Sequence, residues 1–146
     1  MPNAEAITNE ELIAIDCDVL APCALEQVIH AGNADKVKAR IVLEGSNGPT
    51  TPTADEILQD AGVLVLPDVL ANAGGVVVSY FEWVQGLQEY FWKENEVNQN
   101  LNDIVTRAFN ETWETHQQHG VSMRLSAYGI AVKRVADATT TRGLYP

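Results

Sequence analysis

Val63-Leu64-Val65-Leu66 is an apolar run with no polar side chain, closed by Gly62 on one side and by Pro67-Asp68 on the other. A strand wetted on one face alternates apolar and polar residues. A strand apolar throughout suits the middle of a parallel sheet, covered by helices on both faces. Two further strand-like runs precede it, at 16–21, stopped by Pro22, and at 40–44, stopped by Gly45. The stretches between them carry helix signals. Thr8 with Glu11 forms a capping box for a helix over 9–13. Residues 24–29 read as a short helix that leaves through His30-Ala31-Gly32-Asn33. Thr53, with Glu56 at the reciprocal position, caps a helix over 54–61 that Gly62 closes. After the third strand, a loop over 69–75 leads into a long helix over 76–92. Val97, Leu101, Ile104, Val105, Ala108, Phe109 and Trp113 recur at helical spacing. A last helix over 122–140 presents Leu125, Tyr128, Ala131, Val132, Val135 and Ala136.

This alternation predicts an α/β fold: half of a doubly wound, Rossmann-like parallel sheet. Three strands are joined by right-handed crossover helices and followed by C-terminal helices. The chain reads as one partial domain, with the sheet over 1–75 and the long and closing helices over 76–146. The other half of such a sheet carries G-x-G-x-x-G after its first strand. Here Gly74-Gly75 is a pair in the wrong context, and Gly45 to Gly48 is too short a spacing. The second half is present without the first.

A net charge of −11 with only 9 Lys and Arg excludes a phosphate-binding surface for nucleic acid and docking on anionic lipid. No apolar run approaches the roughly 20 residues that a membrane-spanning helix needs. Met1-Pro2-Asn3-Ala4-Glu5 has neither the basic nor the apolar part of a signal peptide, so a cytoplasmic chain is expected. Cys17 and Cys23 lack C-x-x-C spacing and read as reduced core residues. His116 and His119 share a helix face, but no further ligand is placed to complete a metal site. Before Gly120 they favour the negative helix terminus instead. Without cations nearby, Trp83, Phe91, Trp92, Phe109 and Trp113 read as packing residues rather than a stacking platform. Glu94, Glu96 and Glu111 read as solvated faces.

Ligands of open parallel sheets bind beyond the carboxyl ends of the strands. Ala21-Pro22-Cys23-Ala24, residues 44–49 and residues 67–75 all lie there. Any one of them alone is ordinary turn punctuation; together they mark a site. The Asn72 amide offers two donors and an acceptor, a match for a carboxamide such as that of nicotinamide. Gly74-Gly75 permits close backbone approach. Ser79 lies one turn inside the long helix, on the same face as Val76. Its hydroxyl either receives a carboxylate near the helix N-terminus or back-bonds to a helix carbonyl. The chemistry of the residue alone favours the second.

Two long strings are more specific. Val42-Leu43-Glu44-Gly45-Ser46-Asn47-Gly48-Pro49-Thr50-Thr51-Pro52 resembles the glutamate dehydrogenase family, and so does the run from Pro67-Asp68-Val69-Leu70-Ala71-Asn72-Ala73-Gly74-Gly75-Val76 to Val77-Val78-Ser79-Tyr80-Phe81-Glu82-Trp83. The likeness extends over nearly the whole chain, to Arg142-Gly143-Leu144. The segment from Ser79 to Trp83 points to glutamate rather than leucine, valine or phenylalanine. The resemblance implies NAD or NADP as cofactor, with Ala21 and Pro22 beside its adenosine part. It places Asn47 on the ribose near the nicotinamide and Asn72 on the carboxamide. It places Val76 along the glutamate side chain and Ser79 on that side chain's carboxylate. Cys23 and Ser46 stand where the family often has alanine.

The family's catalytic lysine and aspartate belong to an N-terminal domain, so no catalytic residue is expected here. Met1-Pro2 looks like an added start on an excised segment. On this reading the chain is the C-terminal part of an enzyme that deaminates L-glutamate oxidatively, inactive alone and weak or silent toward nucleotide. The alternative is a stand-alone truncated paralogue, a nucleotide-binding or subunit-pairing module. An open sheet edge would favour such pairing or self-association.

Overall fold

The computed structural model describes residues 5–143; the expectations for Met1-Pro2 and Leu144 lie outside that span. The chain divides into two compact units, Met1–Asp68 and Val69–Pro146.

The first unit is built on three parallel strands in the order β1 (Val19–Leu20), β2 (Ile41–Leu43), β3 (Leu64–Leu66). Val19 and Leu20 pair with Ile41 and Val42, and Ile41, Val42 and Leu43 pair with Leu64, Val65 and Leu66. All three runs become strands, the first two trimmed at both ends and the third only at Val63, but the run expected in the middle of the sheet lies at the edge of the three, with β2 in the centre because both crossovers run in the same direction. Helix α1 (Asn9–Ile13) carries the expected capping box. Its Thr8 side chain accepts from the Glu11 N–H, and the Glu11 side chain accepts from the Thr8 N–H.

Two local expectations fail, each for a visible reason. Residues 24–29 form no helix. The Gln27 N–H donates to the Gly48 carbonyl at 2.8 Å, the Ile29 N–H to Pro49 at 2.9 Å, and the Thr51 N–H to Ile29 at 2.9 Å. This parallel bridge between Ile29 and Thr50 uses backbone groups a helix would need, and Gln27 sits at φ 53°, outside the helical region. The first crossover therefore holds only a 3-10 turn, Ala34–Lys36. Helix α2 (Pro52–Asp60) is capped by Thr51, not Thr53. Pro52 occupies the first turn, where its missing N–H costs nothing. Gly62 ends that helix at φ +76° as expected.

Ile29, Ala34, Val42, Ala54, Leu58 and Val65 form the core of this unit, with Leu20, Val28, Val37, Ile57 and Val63 packed on it. Asn33, wholly buried, ties the turn together. Its side-chain oxygen accepts from the His30 N–H at 2.8 Å and its amide donates to the Val28 carbonyl at 2.9 Å.

A one-turn helix, α3 (Asp68–Ala71), replaces the start of the expected 69–75 loop. The second unit then consists of α4 (Gly74–Gln88), α5 (Glu94–His119) and α6 (Met123–Arg142). Helix α4 starts two residues before Val76 and stops short of Trp92. Glu89 turns left-handed at φ 52°. Beyond it the Trp92 N–H donates to the Gln85 side chain at 2.7 Å, and Phe81 and Trp92 pack ring to ring at 5.4 Å. Gly120, left-handed at φ 63°, separates α5 from α6. The His116 Nδ1–H donates to the Val121 carbonyl across that turn, and Ser122 caps α6. Arg134 on α6 pairs with Glu111 on α5. Among the described residues, no helix is long and apolar enough to cross a membrane, and no His, Cys, Asp and Glu cluster forms a metal site.

Candidate functional site

Parallel strands end on the same side of their sheet, so the segments after β1, β2 and β3 meet. The structure shows how tightly. The Pro22 carbonyl, just past β1, accepts from the Gly45 N–H at 3.0 Å and from the Ser46 N–H at 2.9 Å, both just past β2. The Ser46 hydroxyl bonds the Pro22 and Leu25 carbonyls, at 3.2 Å each. A Cβ on Gly45 would lie 2.6 Å from the Sγ of Cys23, which is exposed rather than in the core, so a side chain there requires the thiol to turn aside. The sequence marks Gly45 only as a strand end; the fold makes it a close approach between two neighbouring strand-end loops.

On the other side, past β3, the Asp68 N–H donates to the Glu44 carboxylate at 2.8 Å, and the Asp68 carboxylate accepts from the Gly48 N–H at 2.8 Å. Glu44 is wholly buried. A buried carboxylate is tolerable where hydrogen bonds compensate its lost hydration. Asn47 lies between the Ser46 and Gly48 anchors, with its side chain exposed. Its amide can donate to and accept from a polyhydroxylated ligand such as a ribose. Pro22 is half-buried under the same bonds, while Ala21 is exposed beside it. Ala21, Pro22 and Cys23 also line an apolar hollow of about 330 Å³ with Leu12, Leu20 and Val28.

The remaining candidates belong to the second unit. Asn72 is half-buried in the turn between α3 and α4. A Cβ on Gly75 would meet nothing within 4 Å, so the approach to this turn is open. Val76 is exposed on the first turn of α4. The Ser79 hydroxyl donates to the Gly75 carbonyl at 3.0 Å. Its lone pairs remain available, but its proton must rotate away from Gly75 before it can serve a carboxylate.

Sequence reasoning left Glu44 and Asp68 as members of a strand-end string with no task of their own. A carboxylate directly after a strand and opening a helix is the signal that marks Asp68. No local signal marks its partner Gly48.

The family model for glutamate/leucine/phenylalanine/valine dehydrogenases matches residues 1–143. The chain is 56% identical over 145 residues to a glutamate dehydrogenase of Thermotoga maritima, covering 99% of this chain and 35% of that protein. It is 51% identical over 139 residues to an NAD-specific glutamate dehydrogenase of Staphylococcus aureus, covering 95% of this chain and 34% of that protein. Among solved structures, the hetero-hexameric glutamate dehydrogenase of Thermus thermophilus, in a Leu-bound form, superposes with a TM-score of 0.92 at 33% identity, over 99% of this chain and 35% of that one. The chain thus spans about a third of the length of the curated relatives it matches.

Proposed function

The chain belongs to the glutamate/leucine/phenylalanine/valine dehydrogenase family, and from that premise we propose that it supplies the nicotinamide-side half of a glutamate dehydrogenase's nucleotide-binding domain together with its closing helices. The whole protein would oxidise L-glutamate to 2-oxoglutarate and ammonia with NAD or NADP. The observation that carries the reading is the convergence of three strand ends in the first unit. There Asn47 stands exposed between two hydrogen-bonded anchors at the edge where open sheets receive nucleotides.

A nicotinamide cofactor held here would supply the hydride acceptor for oxidation of the amino acid. This chain's residues bind and orient. Asn47 would hold the ribose, and Ala21 and Pro22 would lie along the adenosine part. Asn72 would meet the carboxamide. Val76 would line the path of the glutamate side chain, and Ser79 would donate to its carboxylate. The proton-transfer groups would come from the part of the enzyme outside this chain.

Calorimetric titration of the purified chain with NAD+, NADH, NADP+ and NADPH, beside a glutamate oxidation assay, tests the assignment. The chain alone is expected to show no turnover and no saturable binding tighter than about millimolar. Saturable micromolar binding would favour a stand-alone nucleotide-binding module instead. In the whole enzyme, Ser79→Ala is expected to raise the glutamate KM by about tenfold or more, the worth of a hydrogen bond to a charged group. An unchanged glutamate KM would remove Ser79 from the substrate site.

A further inference from the structure

Gly48 is held at both of its backbone polar groups. Its N–H donates to the Asp68 carboxylate and its carbonyl accepts from Gln27. Both Gly48, at φ +56°, and Gln27, at φ 53°, lie in the left-handed region. For Gln27 that conformation is costly, and such strain persists only where the surroundings over-determine it. On the other flank Ser46 is fixed by three contacts to carbonyls of the β1 exit. The single residue between these anchors is Asn47.

We propose that Glu44 and Asp68 are positioning residues for the Asn47 loop, acting as a relay from the sheet to the nucleotide. The buried Glu44 carboxylate fixes the Asp68 backbone through its N–H. That aims the Asp68 side chain at Gly48, and Gly48 sets the direction in which Asn47 leaves the loop. The relay needs no contact between either carboxylate and the nucleotide. Their negative charges are spent on backbone N–H groups, which hold the carboxylates more strongly than neutral acceptors would be held. The functional half of this inference rests on the assignment of Asn47 to the cofactor.

Amide hydrogen exchange and 15N–1H shifts of this chain test the relay directly. In Asp68→Ala the Gly48 amide is expected to lose its hydrogen-bonded shift and to exchange about tenfold faster or more. The core amides of Val42 and Leu58 are expected to stay protected. Asp68→Asn keeps an oxygen that can accept from Gly48 and is expected to recover most of the protection. Glu44→Gln, which keeps an acceptor of the same length, is expected to give a smaller change of the same kind at Gly48. A Gly48 amide unmoved by Asp68→Ala, or one that Asp68→Asn fails to rescue, would overturn the relay.

The cofactor arm is read in the whole enzyme. Asp68→Ala is expected to raise the nucleotide KM by about tenfold while kcat changes little, since only binding geometry is lost. Should Asp68→Ala release Gly48 but leave the nucleotide KM of the enzyme unchanged, and Asn47→Ala do the same, the relay would stand and the cofactor role of Asn47 would fall.

Discussion

The two units reach order by different routes. The first buries a compact apolar cluster, though Leu12, Val19 and Leu25 stay exposed. Ile29, Val42, Ala54 and Leu58 have no exposed surface, and even Asn33 and Glu44 are wholly buried with hydrogen-bond partners. The second shows its apolar side chains to solvent. Val76, Tyr80, Trp83 and Leu87 on α4 are 57–69% exposed, and Leu125, Tyr128, Val132 and Val135 on α6 are 50–68% exposed. Both sets step along their helices by threes and fours, the spacing of a single face. In α6 the opposite side, with Met123 and Ser126, is the buried one. The contrast teaches that a sheet-based unit can close around one buried cluster even while Val19 of β1 and Leu43 of β2 stay exposed. A helical unit can close through one face and leave another apolar face on display.

That contrast can be broken most directly by truncating one leucine in each unit. Leu58→Ala removes a side chain with no exposed surface and is expected to cost about 2–5 kcal/mol in denaturant unfolding of the first unit. Leu125→Ala, 58% exposed, is expected to cost no more than about 0.5 kcal/mol. Equal costs would mean that the α6 face is covered in solution and that the contrast is false.

Next in size, Gly45→Ala requires the exposed Cys23 thiol to turn aside and is expected to cost about 0.5–1 kcal/mol, the size of an off-rotamer side chain. Combining it with Cys23→Ala should return most of that loss. A penalty that survives the second change would place the strain elsewhere.

The smallest effect sharpens the picture at the edge of the first unit. The Thr8 backbone N–H, and then the Thr8 hydroxyl, hold the Glu11 carboxyl below its ordinary value of 4.5, outweighing desolvation. A lowered folded value means that the ionised form supports the fold. The support is present above the ordinary value and fades as pH falls through the lower, folded one. Titration of Glu11 by NMR should therefore end below that of an unstructured glutamate, with α1 fraying as it protonates. Thr8→Ala should move the value only part of the way back, because the backbone N–H remains. An ordinary titration of Glu11 in the parent chain would dismiss the capping box.

The strands were legible because their signal is local: an apolar run bounded by glycine or proline. The same holds for α1, whose cap and partner lie three residues apart. Residues 24–29 misled because their helical look is local, while the bonds that decide their shape reach Gly48 and Pro49. Thr53 misled because Thr51, two residues earlier, is equally able to cap and has Pro52 behind it. Asn72 could be suggested from its place past a strand end and its amide chemistry, whereas Asn47 was marked only by the resemblance to the family. The Glu44–Asp68–Gly48 chain could not, since its members meet only after the second crossover has brought β3 beside β2.

The tight fit of Gly45 against Cys23 also constrains history. A lineage that first replaced Gly45 with alanine would pass through a weakened protein, whereas one that first trimmed Cys23 to alanine would not. The order of two small changes then sets the size of the first step. Drift at the exposed position acts as a gate on drift at its neighbour, so the strand-end loops of β1 and β2 are expected to evolve as a coupled pair.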